Sequence, residues 1–509
     1  MMQSARIKVN RSFQKGEISP YIYGSFVEHM GRVVYSGIYE PDHPCSDEDG
    51  FRGDVLEKIK GMGVTCVRYP GGNFVSTYDW RDGVGPKENR PRKRTLAWKS
   101  IETNEFGTDE FMKWAGKAGV MPVFAVNLGT KGIENALSFL EYCNLPAGTF
   151  YSDMRAGNGH AAPYEIPVWC LGNEMDGDWQ IGHKTAEEYG KLAAQTAHAM
   201  KALDADLQLV VCGSSSASMA SYTDWERIVL EEAYDYVDYI ALHQYFGGQE
   251  AGTAAFLAQA ADFDRYIHTV EGICDTVRSK KRSRKQINIS IDEWGVWEIR
   301  GTEVEKDVNS RDWEIAPAFS EQIYTMEDTL LFASMLMTML RHCDRVKFAC
   351  QSLLTNISAC IMTEKGGGCW VQPIYYPFAL MSEFGRGSVL ECVEDIAGYD
   401  YHGMRIPYID ALCVHNTEKN ELVFFILSRN GEDIPFEAEL QDFHVTGIED
   451  AVVLQAEDIK TTNAADHEVI APRSMPERFS LDGHLSGKTL LRGTIEGYSW
   501  NMLRVRVEA

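Results

Sequence analysis

Pro167-Val168-Trp169-Cys170-Leu171-Gly172-Asn173-Glu174 and Ile287-Asn288-Ile289-Ser290-Ile291-Asp292-Glu293-Trp294 are two apolar runs, each reaching a carboxylate at its end. A strand that stays apolar and stops at an acid before loop residues sets that acid at the rim of a sheet, where substrates bind. Cleaving a glycosidic bond takes two such acids face to face. One donates a proton while the other attacks or activates water. Many strands end in a solvated Glu, so neither run carries this reading alone; the rest of the chain has to support it.

Short apolar runs with polar tips recur along the chain, eight in all: 21–28, 65–69, 121–127, 167–174, 207–214, 236–245, 287–293 and 345–351. Amphipathic segments separate them. Asp109-Glu110-Phe111-Met112-Lys113-Trp114-Ala115 opens on acids and then mixes apolar and charged positions at helical spacing, and Thr185 with Glu188 three residues on fits a capping box. Eight strands alternating with helices predict an α/β fold, the (β/α)8 TIM barrel, because parallel neighbours need long crossovers. Glu28, Arg68, Asn127, Asn173 with Glu174, Ser214, His243 with Tyr245, Glu293 and Gln351 fall at the carboxyl ends, the face where barrel enzymes keep their chemistry.

From Met381 the pattern changes. Runs read as alternating, such as Leu422-Val423-Phe424-Phe425-Ile426-Leu427 and Met502-Leu503-Arg504-Val505-Arg506-Val507, lie between turn clusters and predict a C-terminal antiparallel β-sandwich. Ala5-Arg6-Ile7-Lys8-Val9 alternates too and is expected to pair with that sheet. The expected division is therefore an N-terminal strand in 1–18, a catalytic barrel over 19–380 and the sandwich over 381–509.

Composition narrows the partners. The formal net charge is −25, from 49 basic and 74 acidic residues, a field that repels nucleic acid and anionic membranes and suits a neutral substrate. The first residues lack the apolar core of a signal peptide and no later stretch reaches a membrane span, so the cytoplasm is expected. Of the twelve cysteines, Cys66, Cys170, Cys212 and Cys350 lie inside apolar runs as small core residues, and no C-x-x-C pair suggests zinc.

Glu174 and Glu293 end the fourth and seventh strands, nearly opposite in a closed eight-stranded barrel. Their side chains can then approach to about 5 Å, which gives double displacement with retention. A general acid must hold its proton near neutral pH, and the charge of Glu293 would raise Glu174 to do so. Tyr245, at the tip next to the seventh strand, can hydrogen-bond Glu293 and keep it ionised and aimed. Other roles have plain structural readings as well. Glu28 could simply neutralise a buried Arg68, Gly71-Gly72 could be a tight turn that also lets backbone near the ring, and Trp98, Trp294 and Trp297 could stack on sugar or fill core.

These motifs together resemble glycoside hydrolase family 51, the retaining α-L-arabinofuranosidases. The resemblance rests on Tyr23-Gly24-Ser25-Phe26-Val27-Glu28-His29, Arg68-Tyr69-Pro70-Gly71-Gly72-Asn73-Phe74, and Leu96-Ala97-Trp98-Lys99-Ser100 with Glu102-Thr103-Asn104-Glu105-Phe106-Gly107. Gly172-Asn173-Glu174-Met175-Asp176-Gly177, His243-Gln244-Tyr245, Asp292-Glu293-Trp294 and the stretch from Gly366 to Phe378 continue it in order. It implies that Glu174 is the acid/base and Glu293 the nucleophile. It also implies that Glu28, Arg68, Asn73, Asn173, Tyr245 and Gln351 hold the furanose ring or orient the nucleophile. Trp98 is the favoured stacking face. No metal or organic cofactor is implied; a cytoplasmic homo-oligomer, commonly a hexamer, is. The substrate would be a terminal arabinofuranose on an oligosaccharide or polysaccharide. Gly295 departs from the Asn that relatives often carry there. Two other readings stay open: the same acids acting as an endo-β-glucanase, β-xylosidase or hexofuranosidase, or a non-catalytic carbohydrate-binding barrel.

Overall fold

A computed structural model of the chain describes residues 4–297, 308, 310–485 and 488–508. Met1, Met2 and Gln3 of the amino-terminal stretch lie outside them. The eight expected strands form one closed parallel barrel: β1 (Gly24–Phe26), β2 (Cys66–Tyr69), β3 (Met121–Ala125), β4 (Val168–Leu171), β5 (Gln208–Cys212), β6 (Tyr239–Phe246), β7 (Asn288–Val296) and β8 (Val346–Gln351). Several apolar runs outlast the strands they encode. Strand β4 stops at Leu171 because Gly172 takes φ 95° and Glu174 φ 43°, both left-handed, which turns the chain off the ladder and over the rim.

The helices start where their caps predict. Helix Ala186–Leu203 is capped by Thr185, whose hydroxyl accepts from the Glu188 amide at 3.3 Å while Glu188 Oε2 accepts from the Thr185 amide at 3.1 Å. Helix Thr108–Ala118 opens with the Gly107 amide donating to Glu110 at 2.9 Å. All twelve cysteines are free thiols, and Cys66, Cys170, Cys212 and Cys350 are buried in the barrel wall.

The C-terminal domain is a sheet of ten strands hydrogen-bonded in one continuous order. Its inner face gathers Ile7, Leu390, Phe424, Ala438, Leu491 and Leu503 into one core, so the two layers are halves of a single sheet curled over on itself. Strand Ala5–Glu17 belongs to it, antiparallel to Ser388–Asp395 and parallel to Ile434–Gln441. The expected break at Met381 cuts through helix Tyr375–Phe384, and the first sheet strand beyond it begins at Ser388.

Strand Glu421–Ser428 is buried along its whole length because both of its faces are covered. Leu422, Phe424 and Ile426 enter the sheet's own core, while Val423, Phe425 and Leu427 join the barrel's. Helix Met326–Arg341 packs on this side and is buried from Met326 to Leu340, with Phe332 against Trp294 of β7 at 4.7 Å.

Charge locks this seam. Asp410 on the sheet accepts from Arg429 at 2.5 Å, from Ser334 at 3.1 Å and from Arg341, the last two on the barrel helix. Burial alone would raise its carboxyl, but Arg341 and Arg429 bring it down to about 2. A folded value below the unfolded one stabilises at neutral pH, and that contribution is lost as pH falls from about 4 towards 2. Asp410→Ala leaves two guanidinium groups without their shared partner and should cost about 3–5 kcal/mol, read from urea melts at pH 7. The difference from wild type should shrink at pH 3. A loss under about 1 kcal/mol, within the range of exposed pairs, would contradict this account of the seam.

Candidate active site

Strand β7 delivers two consecutive acids to one place. Successive residues of a strand normally face opposite sides, yet Asp292 and Glu293 both point into the barrel mouth. The ladders on each side of β7 shift register here, between Ser290 and Glu293 towards β6 and between Ile291 and Trp294 towards β8. That bulge re-aims the second acid. From β4, the left-handed Glu174 reaches the same space, and carboxylate oxygens of Glu174 and Glu293 come within 4.8 Å of each other and of a His243 ring nitrogen.

The two acids are held differently. Glu293 Oε1 accepts from Arg68 at 2.8 Å and Oε2 from the Tyr245 hydroxyl at 2.9 Å. A phenol has one proton; with that proton on Glu293, its oxygen is left to accept from Ser352, 2.7 Å away. Glu174 Oε2 accepts from the indole of Trp179 at 2.7 Å, and its Oε1 lies 3.0 Å from His243 Nδ1. Burial and the facing Glu174 push the Glu293 carboxyl up, against the pull of His243 and Arg68.

His243 also lies 3.2 Å from Asp292 through Nε2. With a carboxylate at each ring nitrogen, only the imidazolium has a donor for both. Burial works against that charge, but Glu293, Asp292 and Glu174 outweigh it and hold the imidazole well above its ordinary pKa. Asp292 is the converse case: burial would raise it, while Arg68 at 3.3 Å and His243 hold it below the usual carboxylate range.

Arg68 does not pair with Glu28. Its guanidinium binds Glu293, Asp292 and Asn173 Oδ1, the last at 2.7 Å. Glu28 instead accepts from the Phe74 amide at 2.7 Å and the Trp98 indole at 2.8 Å. Burial, with Glu293 nearby, raises it to about 8. The reason lies in Gly71 and Gly72. A Cβ at Gly71 would stand 2.8 Å from Glu28 Cγ, and one at Gly72 only 2.3 Å from its Oε2. The double glycine clears room for the Glu28 side chain.

Of the expected residues, Glu28, Asn73, Trp98, Glu174, Tyr245 and Glu293 line one cavity, with Arg68 and Asn173 buried beneath. Asn173 donates to Asn73 at 3.3 Å. Gln351 stands apart. It is fully buried, and its amide donates to the Ser358 carbonyl at 2.7 Å, so it braces the loop after β8 instead of facing the cavity. Asn127 likewise spends its amide on Tyr78 and Thr130. Trp294 is core; Trp297 lines the cavity edge-on to Tyr245 at 5.3 Å. A Cβ at Gly295 would meet nothing nearer than 3.4 Å, so the backbone there leaves room for a first side-chain carbon.

Sequence reasoning passes over Trp179 and Ser352. Trp179 had a signal, an aromatic in the turn-rich Asp176-Gly177-Asp178 loop just after Glu174. Ser352 had none. Among the described residues, two groups bring metal-ligand atoms within 4.8 Å: Glu174, His243 and Glu293, and separately His43, Cys45 and Asp54. In the first His243 Nδ1 already pairs with both carboxylates, at 3.0 and 3.7 Å; in the second Asp54 is taken by Arg52 at 2.6 Å.

The family described as "Alpha-L-arabinofuranosidase 1 domain" matches residues 58–267, and "Alpha-L-arabinofuranosidase C-terminal domain" matches 292–490. A protein of Bacillus subtilis named "Intracellular exo-alpha-(1->5)-L-arabinofuranosidase 1" is 47% identical over 509 residues, 100% of both chains. The solved structure of a family 51 alpha-L-arabinofuranosidase from Bifidobacterium longum superposes with a TM-score of 0.92 at 38% identity, covering 99% of this chain and 100% of that one. An alpha-L-arabinofuranosidase from Thermotoga maritima, in an arabinose complex, gives 0.86 at 30% identity, covering 98% and 99%. Matched end to end by such relatives, with the barrel and curled sheet they share, the chain belongs to glycoside hydrolase family 51, the α-L-arabinofuranosidases.

Proposed function

We propose that the chain is an exo-acting, retaining α-L-arabinofuranosidase in which Glu293 attacks the anomeric carbon and Glu174 serves as acid and then base. One observation carries this reading: the two carboxylates face each other within 4.8 Å. Retaining enzymes hold the pair about 5–5.5 Å apart, whereas inverting ones leave about 6.5–9.5 Å for a water.

The surroundings support the division of labour. Both oxygens of Glu293 are fixed, one by Arg68 and one by Tyr245, which aims the carboxylate and favours its charged form. His243 Nδ1 stands 3.0 Å from Glu174 Oε1, where the imidazolium can hand over the proton that the acid passes to the leaving oxygen. In the first step Glu293 bonds to the anomeric carbon, the glycosidic C–O bond breaks and Glu174 gives its proton to the departing oxygen. In the second, Glu174 takes a proton from water, which attacks the same carbon and releases Glu293. Glu28, Asn73, Asn173 and Trp98 surround the ring's place. With its raised value, Glu28 keeps a proton to donate to a hydroxyl near neutral pH.

The natural substrate in this reading is an arabino-oligosaccharide or a polysaccharide side chain, and the relatives named for α-(1→5) activity support that linkage. Their description as intracellular supports a cytoplasmic location. Assembly into a homo-oligomer, with the hexamer as the leading form, belongs to the same proposal, as does a barrel from residue 19 with its boundary moved to the turn between Phe384 and Ser388. Rates on a panel of nitrophenyl glycosides distinguish the arabinofuranosidase from a glucanase, xylosidase or hexofuranosidase. A carbohydrate-binding barrel without catalysis would show no turnover at all.

Glu293→Ala should lose several orders of magnitude in rate, and azide should restore part of it by attacking in the vacated space, giving an arabinosyl azide of inverted configuration. A retained azide would contradict the assignment. Glu174→Ala should show a burst and then slow turnover on a dinitrophenyl arabinofuranoside, whose leaving group needs no proton, and almost none on natural arabinosides. Equal losses on both substrates would remove Glu174 from the acid/base role. Tyr245→Phe deletes a hydrogen bond to a charged acceptor, worth about 1.5–3 kcal/mol. Its kcat should fall about 10- to 100-fold with little change in KM; an unaltered kcat would mean that Tyr245 does not aim Glu293.

A further inference from the structure

The cavity over the acid pair encloses about 1220 Å³. Sites for one small ligand run to about 300–1,000 Å³, so a single pentose leaves most of it unfilled. Beyond Glu174 its lining takes in residues 215–218, the loop after β5, residues of helix Thr253–Lys281, and Tyr401 and His402 of a hairpin of the C-terminal domain. The hairpin's strands, Gly398–Tyr401 and Met404–Pro407, pair only with each other and stand outside the ten-stranded sheet.

That hairpin is tied to the barrel. Tyr401 donates to Asp262 at 3.1 Å and Tyr399 to the Ala254 carbonyl at 2.8 Å, while Arg265 holds the other oxygen of Asp262 at 2.7 Å. At its tip His402 takes φ 51°, and its ring stands edge-on to Tyr401 at 4.3 Å. Tyr222, Asp262, Arg265, Thr269, Tyr401 and His402 all line this arm. Ring faces for C–H surfaces, with a carboxylate, a guanidinium and hydroxyls between them, suit a neutral polyhydroxylated chain better than an ion or an apolar molecule.

We propose that this arm binds the leaving chain of the substrate, two or more sugar residues beyond the scissile bond, and that the hairpin 398–407 of the C-terminal domain sets this preference for chain length. The inference rests on Glu174 being the acid: Asp176, two residues beyond it, accepts from the Ser215 amide of the arm at 3.0 Å, which sets the arm beside the group that would protonate the leaving oxygen.

The test compares kcat/KM on nitrophenyl arabinofuranoside with α-(1→5)-linked arabinobiose, arabinotriose and arabinotetraose. Wild type should gain with each added residue up to the trimer or tetramer. Tyr401→Ala should lower the ratio of tetraose to nitrophenyl glycoside by about ten-fold. Arg265 has a side chain 62% exposed, so Arg265→Ala keeps the fold and should shift the ratio the same way. A wild type active on the nitrophenyl glycoside but indifferent to chain length overturns the arm alone, as do variants with unchanged ratios. A wild type inactive on every arabinofuranoside overturns the parent reading and the arm with it.

Discussion

The guanidinium of Arg68 is the constraint on which the site depends. It is almost fully buried at the tip of β2 and joins groups from two other strands: Glu293 and Asp292 of β7, and Asn173 beyond β4. A buried charge of this kind is costly unless it is paired and hydrogen-bonded. Burial is outweighed here by Asp292 and Glu293, which hold Arg68 firmly protonated. The closed barrel makes this possible, because only closure brings the tips of strands two, four and seven to a common centre.

Around that centre opposite charges alternate. Arg68 and the imidazolium of His243 lie among the carboxylates of Asp292, Glu293 and Glu174, while Glu28, raised by burial, carries a proton near neutral pH. Asp292 thus pairs with both cations, Arg68 at 3.3 Å and His243 at 3.2 Å. In the proposed mechanism Glu293 becomes an ester, its charge disappears, and His243 and Arg68 lose part of what holds their protons. Under that proposal Glu174, beside His243, works in two electrostatic settings, one for each half of the reaction.

The barrel was legible because each strand is a short apolar run ending in a hydrogen-bonding residue, a pattern set by burial on both faces and a rim at one end. The acids were legible as two such ends. What lay outside the sequence's reach was conformation. The bulge that turns both Asp292 and Glu293 inward leaves no mark in composition, so Asp292 reads as a neighbour of Glu293 rather than as the partner of Arg68 and His243. Glu28 and Arg68 look like an ion pair across adjacent strands, but Gly71 and Gly72 open a separate niche for Glu28. Gln351 has the right place on the rim and points into the loop behind it. Strand Glu421–Ser428 reads as a sheet strand, and its unbroken apolar character is explained only by the barrel packed on its second face.

The account's central claim is that two carboxylates this close act in succession on one carbon. Proton NMR of the first sugar released from an α-L-arabinofuranoside, recorded before mutarotation, tests it most directly. Double displacement predicts that the earliest signal is the α-anomer, with the β-anomer growing in later. A first-formed β-anomer would mean a single displacement by water, and Glu293 could not then be the nucleophile.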